Sequence, residues 1–242
     1  MSSATLKKRG LEGMIGRRAV GTSGGELVRE ASPEGSGPLP LVLQPAVEGV
    51  DLAAWLESHR EQVERHLMEH GGILFRGFDV GSLERFEQLV RSLSGELLEY
   101  TYRSTPRTQV AGNIYTSTEY PSDQHIPLHN EMSYTASWPM KIWFFCAEPA
   151  EQGGDTPIAD SRRVYQRIDP AIRERFERRG VAYLRNYGER MDLPWQDVFQ
   201  TSDPAEVERF CRETGIEYEW REGGRLWTRQ VCQAVATHPR TG

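Results

Sequence analysis

The apolar and polar positions of the chain change from helical to extended spacing several times, always in short segments. From Asp51 onward, apolar residues recur three, four and seven positions apart, and a glycine pair at 71–72 marks the end of that helix. The same kind of pattern predicts helices at four further places, which are 83–93, 163–168, 170–180 and 204–215. These helices are short enough to lie on the outside of a sheet.

Between the helices, short apolar runs predict strands at 73–78, 181–187, 216–220, 225–229 and 231–237. The run KIWFFCA at 141–147 is nearly continuous in apolar residues, which predicts a central strand buried on both faces. Many short strands with a few outer helices favour a mainly β fold with flanking α, built on a sandwich or barrel rather than on a doubly wound sheet.

The first residues differ from the rest of the chain in composition. Residues 1–37 are rich in glycine, serine and charge, and the boundary lies within SPEGSGPLP at 32–40. Such a composition is typical of a flexible leader. We therefore predict a leader over 1–37 and one folded domain over 38–242.

Charge and cysteine content narrow the function classes. The net charge of −6 opposes a broad nucleic-acid-binding surface, which needs clustered positive charge. The three cysteines are far apart and show no CxxC spacing, which favours reduced thiols in a cytoplasm. No apolar run approaches the roughly 20 residues that cross a bilayer. We expect a cytoplasmic protein with a small-molecule substrate, no nucleic-acid partner and no membrane association.

The stretch IPLHNEMSY contains the pair of residues with the clearest chemical meaning. His129 and Glu131 are two positions apart, and on a strand both side chains would point to the same side and grip one ion. Pro127 argues against a helix here, on which the pair would diverge. A His-x-Glu triplet alone is weak, because surface or hydrogen-bonding roles are commoner for such residues.

A longer run around this pair resembles a known family. The stretch from TSTEYPSDQHIPLHNEMSY through KIWFFCAEPAEQGGDTPIADSR is similar to the core of the TauD/TfdA family of Fe(II)/2-oxoglutarate-dependent dioxygenases, in its syringomycin-biosynthesis-type amino-acid hydroxylase branch. HGGILFRGF upstream and GVAYLRNYG, FQTSDPAEVERFC and THPRTG downstream extend the resemblance from about residue 39 to the end. It implies a double-stranded β-helix (jelly-roll) core.

The resemblance also implies a site and a reaction. His129 and Glu131 become two iron ligands of a 2-His-1-carboxylate triad, and Thr156 helps to hold 2-oxoglutarate. The resemblance implies that the enzyme uses Fe(II), 2-oxoglutarate and O2 to hydroxylate an unactivated C–H bond. The carboxylate of Glu131 implies hydroxylation or desaturation rather than halogenation. The branch implies an amino acid or its derivative, free or tethered to a carrier protein, in secondary metabolism. Three residues near the pair are candidate substrate contacts, namely Asn113, Thr116 and Tyr134.

The chain departs from the family pattern where a distal histidine and arginine should follow. His238 is the one histidine after Glu131, but THPRTG resembles a turn that precedes the distal histidine, so we do not assign it as a ligand. We expect a jelly-roll that is incomplete at its C-terminus and a site that lacks its third ligand and its arginine.

Two alternative functions remain at this point. One is a catalytically incompetent relative that acts as a binding or interaction protein. The other is a cupin-type metal site in which His125 joins the pair. His59, His66 and His70 lie on the first predicted helix, where a solvated face or a cap explains them.

Overall fold

The structure is a computed structural model that describes residues 27–31, 37, 39–98, 102, 107–117, 124–188 and 193–242. Most of the predicted leader lies outside these residues. Its described part corrects the prediction, because Val28–Ala31 form strand β1, which pairs with the next strand and buries Val28 in the core. Ordered structure therefore begins within the segment predicted to be flexible.

The N-terminal half forms a three-stranded sheet covered by helices. Its elements are β1, β2 (Leu41–Pro45), α1 (Leu52–Ser58), α2 (Arg60–His70), β3 (Ile73–Phe75) and α3 (Leu83–Ser94). The sheet order is β1-β2-β3, antiparallel and then parallel, and α1 and α2 make the crossover between the parallel pair. The predicted helix over 52–70 is confirmed as two helices, because the backbone bends at His59 before the second ends at Gly71 in the left-handed conformation.

The middle of the chain has little regular structure. A small hairpin is formed by β4 (Gln109–Ala111) and β5 (Ile114–Tyr115), and residues 124–160 contain turns but no strand. The predicted strand at 141–147 is therefore wrong. Trp143 and Phe145 pack on the N-terminal core, whereas Ile142 and Phe144 are 50% and 62% exposed. The apolar run alternates inward and outward without a sheet partner among the described residues, so burial on both faces does not occur.

The C-terminal half forms an antiparallel sheet with its own core. Its elements are α4 (Ser161–Arg167), α5 (Pro170–Arg179), β6 (Val181–Tyr187), α6 (Trp195–Phe199), α7 (Pro204–Thr214), β7 (Glu217–Arg221) and β8 (Arg225–Cys232). The sheet order is β6-β8-β7. The helices predicted at 163–168, 170–180 and 204–215 are confirmed, and the two runs predicted around 225–237 join into the single strand β8, which ends at Cys232.

The fold class is confirmed only in outline. Short strands with outer helices are present, but the described residues form three small sheets and no closed barrel. The complete jelly-roll stays a prediction. None of the helices that the structure describes combines the length and the apolar character that a bilayer span requires.

Candidate metal centre

The His129–Glu131 pair lies where an irregular segment enters a turn. Residues 125–130 have no regular structure and Glu131 begins the turn 131–134, so the predicted strand placement is not observed. Met132 has φ 55°, a left-handed conformation that is uncommon for a residue with a side chain. The N–H and hydroxyl of Thr135 donate to the Met132 carbonyl at 3.1 and 2.9 Å, which holds the bend.

The two candidate ligands nevertheless converge. His129 Nε2 lies 3.6 Å from Glu131 Oε2. Ligand atoms that sit about 2.0–2.2 Å from a common ion are no more than roughly 4 Å apart, so this separation suits a shared ion. Asn130, between them, makes a different contact, because its Oδ1 accepts from Ser161 Oγ at 3.4 Å at the start of α4.

The backbone selects the tautomer of His129 that a metal needs. His129 Nδ1 lies 2.8 Å from the carbonyl oxygen of Pro127. A carbonyl only accepts, so Nδ1 carries a hydrogen, and in the neutral ring Nε2 is then the nitrogen whose lone pair can bind an ion beside Glu131. This anchoring of the second ring nitrogen is the usual support of a metal-binding histidine.

Arg107 orients the carboxylate. Its Nη2 donates to Glu131 Oε1 at 2.9 Å, and the two side chains are only 16% and 22% exposed. One carboxylate oxygen is therefore held by the guanidinium, while the other faces His129. The sequence reasoning missed Arg107, since it lies 24 positions before Glu131 and no local pattern links the two.

The described residues supply no third ligand to this pair. No histidine, cysteine, aspartate or glutamate among them completes a cluster of three with His129 and Glu131. His125 is exposed. His238 Nδ1 accepts from the backbone N–H of Arg240 at 3.3 Å and of Thr241 at 3.2 Å, so it closes a local turn. The donor set of the pair fits a divalent ion, but by itself it is a partial site.

The other predicted site residues are spread over three places. Asn113 and Thr116 belong to the β4–β5 region, where Asn113 Nδ2 donates to the Leu97 carbonyl at 2.8 Å and Thr116 Oγ1 accepts from a backbone N–H. Tyr134 lies in the turn after Glu131 and packs on the C-terminal core. Thr156 is exposed in the loop before α4 and makes no hydrogen bond to the pair. The structure brings together only His129 and Glu131.

Comparison with known proteins adds independent information. The family model described as "Taurine catabolism dioxygenase TauD, TfdA family" matches residues 36–242. The dapdiamide synthesis protein DdaC of Enterobacter agglomerans is 42% identical over 177 residues, 73% of this chain and 54% of its own length. The clavaminate synthase-like protein At3g21360 of Arabidopsis thaliana is 32% identical over 206 residues, 78% of this chain and 62% of its own length. The chain thus spans between about half and three fifths of these curated relatives.

Proposed function

The chain belongs to the TauD, TfdA family of dioxygenases, and on that premise we propose that it serves Fe(II)/2-oxoglutarate-dependent hydroxylation of an unactivated C–H bond. The observation that carries this proposal is the 3.6 Å approach of His129 Nε2 to Glu131 Oε2. An imidazole and a carboxylate on one side of the backbone are two of the three ligands of a facial triad. Desaturation is the alternative outcome of the same chemistry.

The residues of this chain would bind the metal and orient its ligands, and they would not themselves react with the substrate. Bound iron supplies oxygen activation at the expense of 2-oxoglutarate. Pro127 keeps the Nε2 lone pair of His129 available, and Arg107 keeps Glu131 in one orientation. Both contacts would hold the two ligands in place around a bound ion.

The remaining roles are proposed from the family resemblance. Thr156 would donate to the distal carboxylate of 2-oxoglutarate, and its exposure leaves the hydroxyl accessible for this. Asn113, Thr116 and Tyr134 are proposed to contact the substrate. Since the first two are already bonded to backbone atoms, such contacts would be secondary to those local bonds.

We further propose an amino acid or an amino-acid derivative as substrate, free or carrier-bound. One relative is named for dapdiamide synthesis and another is clavaminate synthase-like, and these names support a role in specialised metabolism. The distal histidine and arginine expected from the family are not assigned to any residue of this chain.

Anaerobic titration of the chain with Fe(II) tests the metal assignment. Under argon, competition with a chromophoric chelator gives the Fe(II) dissociation constant. The visible charge-transfer band on addition of 2-oxoglutarate is expected only if a third ligand completes the triad. His129→Gln and Glu131→Gln should each weaken Fe(II) binding at least about tenfold, because each removes a ligand. Circular dichroism checks that both variants remain folded.

His125→Gln is the matched control, since His125 is exposed in the same irregular segment. It should bind Fe(II) as the unmodified chain does. The assignment is wrong if His129→Gln and Glu131→Gln both retain the Fe(II) affinity of the unmodified chain. Loss of binding on His125→Gln as well as on His129→Gln and Glu131→Gln would favour a cupin-type site in which His125 joins the pair.

A further inference from the structure

A second group of metal-ligating side chains lies on helix α2, apart from the His129–Glu131 pair. His66, Glu69 and His70 occupy positions i, i+3 and i+4, which fall on one face of a helix. One ligand atom from each lies within 4.8 Å of the other two, and the two imidazole centroids are 6.1 Å apart. We propose that these three residues bind a divalent transition-metal ion of the zinc class.

The donor set and its spacing support this assignment. Two imidazoles and one carboxylate are ligands that zinc, nickel and copper accept. Histidines four positions apart on a helix are the spacing by which two ring nitrogens reach one ion. A solvated helix face explains single histidines, whereas here two histidines and a glutamate share one face with their ligand atoms within 4.8 Å of one another, a separation that small side-chain rotations can reduce.

A fourth candidate ligand comes from a different element. Glu30, on strand β1, places Oε1 3.5 Å from His66 Nε2. Ligands about 2.1 Å from one tetrahedral ion are roughly 3.4 Å apart, so the distance between Glu30 and His66 suits a shared ion. The side chain of His66 is only 17% exposed, and the ion would therefore connect edge strand β1 to helix α2.

The cluster on α2 is open to solvent, and one neighbouring side chain would move when an ion binds. Glu69 and His70 line an open surface cavity of about 320 Å³. The Gln62 amide lies 3.4 Å from His66 Nε2 and would rotate away on binding. Arg162 is a neighbouring cation, with Nη2 3.3 Å from the Glu69 carbonyl, and Asp160 neutralises it through two contacts at 3.0 and 3.1 Å.

Zinc binding to the whole chain tests the proposal without any activity assay. Isothermal titration with ZnCl2 at pH 7.5, with metal analysis after dialysis, is expected to show one bound zinc per unmodified chain. The His66→Gln/His70→Gln variant should lose this zinc, with an affinity at least about tenfold lower. Glu69→Gln, an exposed change that leaves both rings in place, should weaken binding with the fold intact. Glu30→Gln should weaken it less.

The His129→Gln/Glu131→Gln chain separates this site from the iron pair. It should keep the zinc equivalent lost by the His66→Gln/His70→Gln chain, which in turn should keep Fe(II) binding at the pair. Equal zinc stoichiometry and affinity in the unmodified, His66→Gln/His70→Gln and Glu69→Gln chains would overturn the proposal. Loss of zinc only in His129→Gln/Glu131→Gln would overturn it as well, while leaving the proposed oxygenase function standing.

Discussion

Replacement of Tyr187 by phenylalanine removes a hydroxyl from the centre of the C-terminal core. Tyr187 is 1% exposed, and its hydroxyl donates to Tyr102 Oη at 3.0 Å and accepts from Thr228 Oγ1 at 3.4 Å. A buried hydrogen bond contributes about 0.5–1.5 kcal/mol, and the longer of these two lies at the weak end. Tyr187→Phe should therefore lower the free energy of unfolding by about 1–2 kcal/mol at pH 7.

The same hydroxyl gives the prediction a pH signature. Burial raises the pKa of Tyr187, with the neighbouring Tyr102 adding to the rise and the Arg185 guanidinium opposing it. The folded state thus keeps the proton that the unfolded chain releases near pH 10. The stabilisation is complete below that pH and is lost as the pH rises, by about 0.8 kcal/mol between pH 8 and 10.5. The phenylalanine variant lacks this loss.

Urea unfolding followed by tryptophan fluorescence at several pH values measures both effects. Tyr183→Phe is the matched control, since Tyr183 lies on the same face of β6 and is only partly buried. Its stability should stay within about 0.5 kcal/mol of the unmodified chain. If Tyr187→Phe is as stable as the unmodified chain, or if both lose stability equally above pH 9, the reasoning about this network fails.

Three further experiments test other parts of the structure. Iodoacetamide should label exposed Cys146 but neither Cys211 nor Cys232, because burial raises the pKa of Cys232 and raises that of Cys211 to about 11. Equal labelling of the three thiols by mass spectrometry would contradict this. Val207→Ala should lower the free energy of unfolding by about 2–3 kcal/mol, since Val207 is 0% exposed; a loss below 0.5 kcal/mol in urea would refute its core role. Burial raises the pKa of Glu64, but bonds from a lysine and an arginine outweigh it and lower the pKa overall. The ionised Glu64 contributes less than about 1 kcal/mol to the free energy of unfolding, fully above pH 4.5 and less as the pH falls. Glu64→Gln should therefore flatten the dependence of stability on pH below pH 4.5. An unchanged dependence would count against the ion pairs.

The parts of the fold that sequence predicts well are those that local contacts determine. Helix α7 is an example, because the residues directly before and after it determine its ends. Asp203 accepts from the Ala205 N–H, and Gly215 ends the helix in the left-handed conformation. The 141–147 segment failed for the opposite reason. Its burial depends on which elements cover each face, and hydrophobicity alone does not report them. Helix α6, with five residues, is too short to show a period and was missed.

The candidate site divides in the same way. His129 and Glu131 are two positions apart, so the sequence suggests that they lie close together, although the strand from which this was predicted is replaced by an irregular segment and a turn. The orientation of the pair depends on distant contacts. Arg107 holds Glu131, and Tyr134 ties the following turn to the Tyr102 carbonyl at 3.4 Å.

Hydrogen bonds connect the C-terminal core to the turn that follows the proposed metal-binding pair. Tyr102 receives the hydroxyl of Tyr187 on one side and anchors the turn of Tyr134 on the other. A change deep in that core, such as Tyr187→Phe, should therefore reduce Fe(II) affinity at the pair as well as stability. Val207→Ala, in the same core but outside this chain of hydrogen bonds, should lower stability with a smaller effect on the metal. Equal effects of the two variants on Fe(II) affinity, once matched for stability, would mean that the turn is held independently of the tyrosine network.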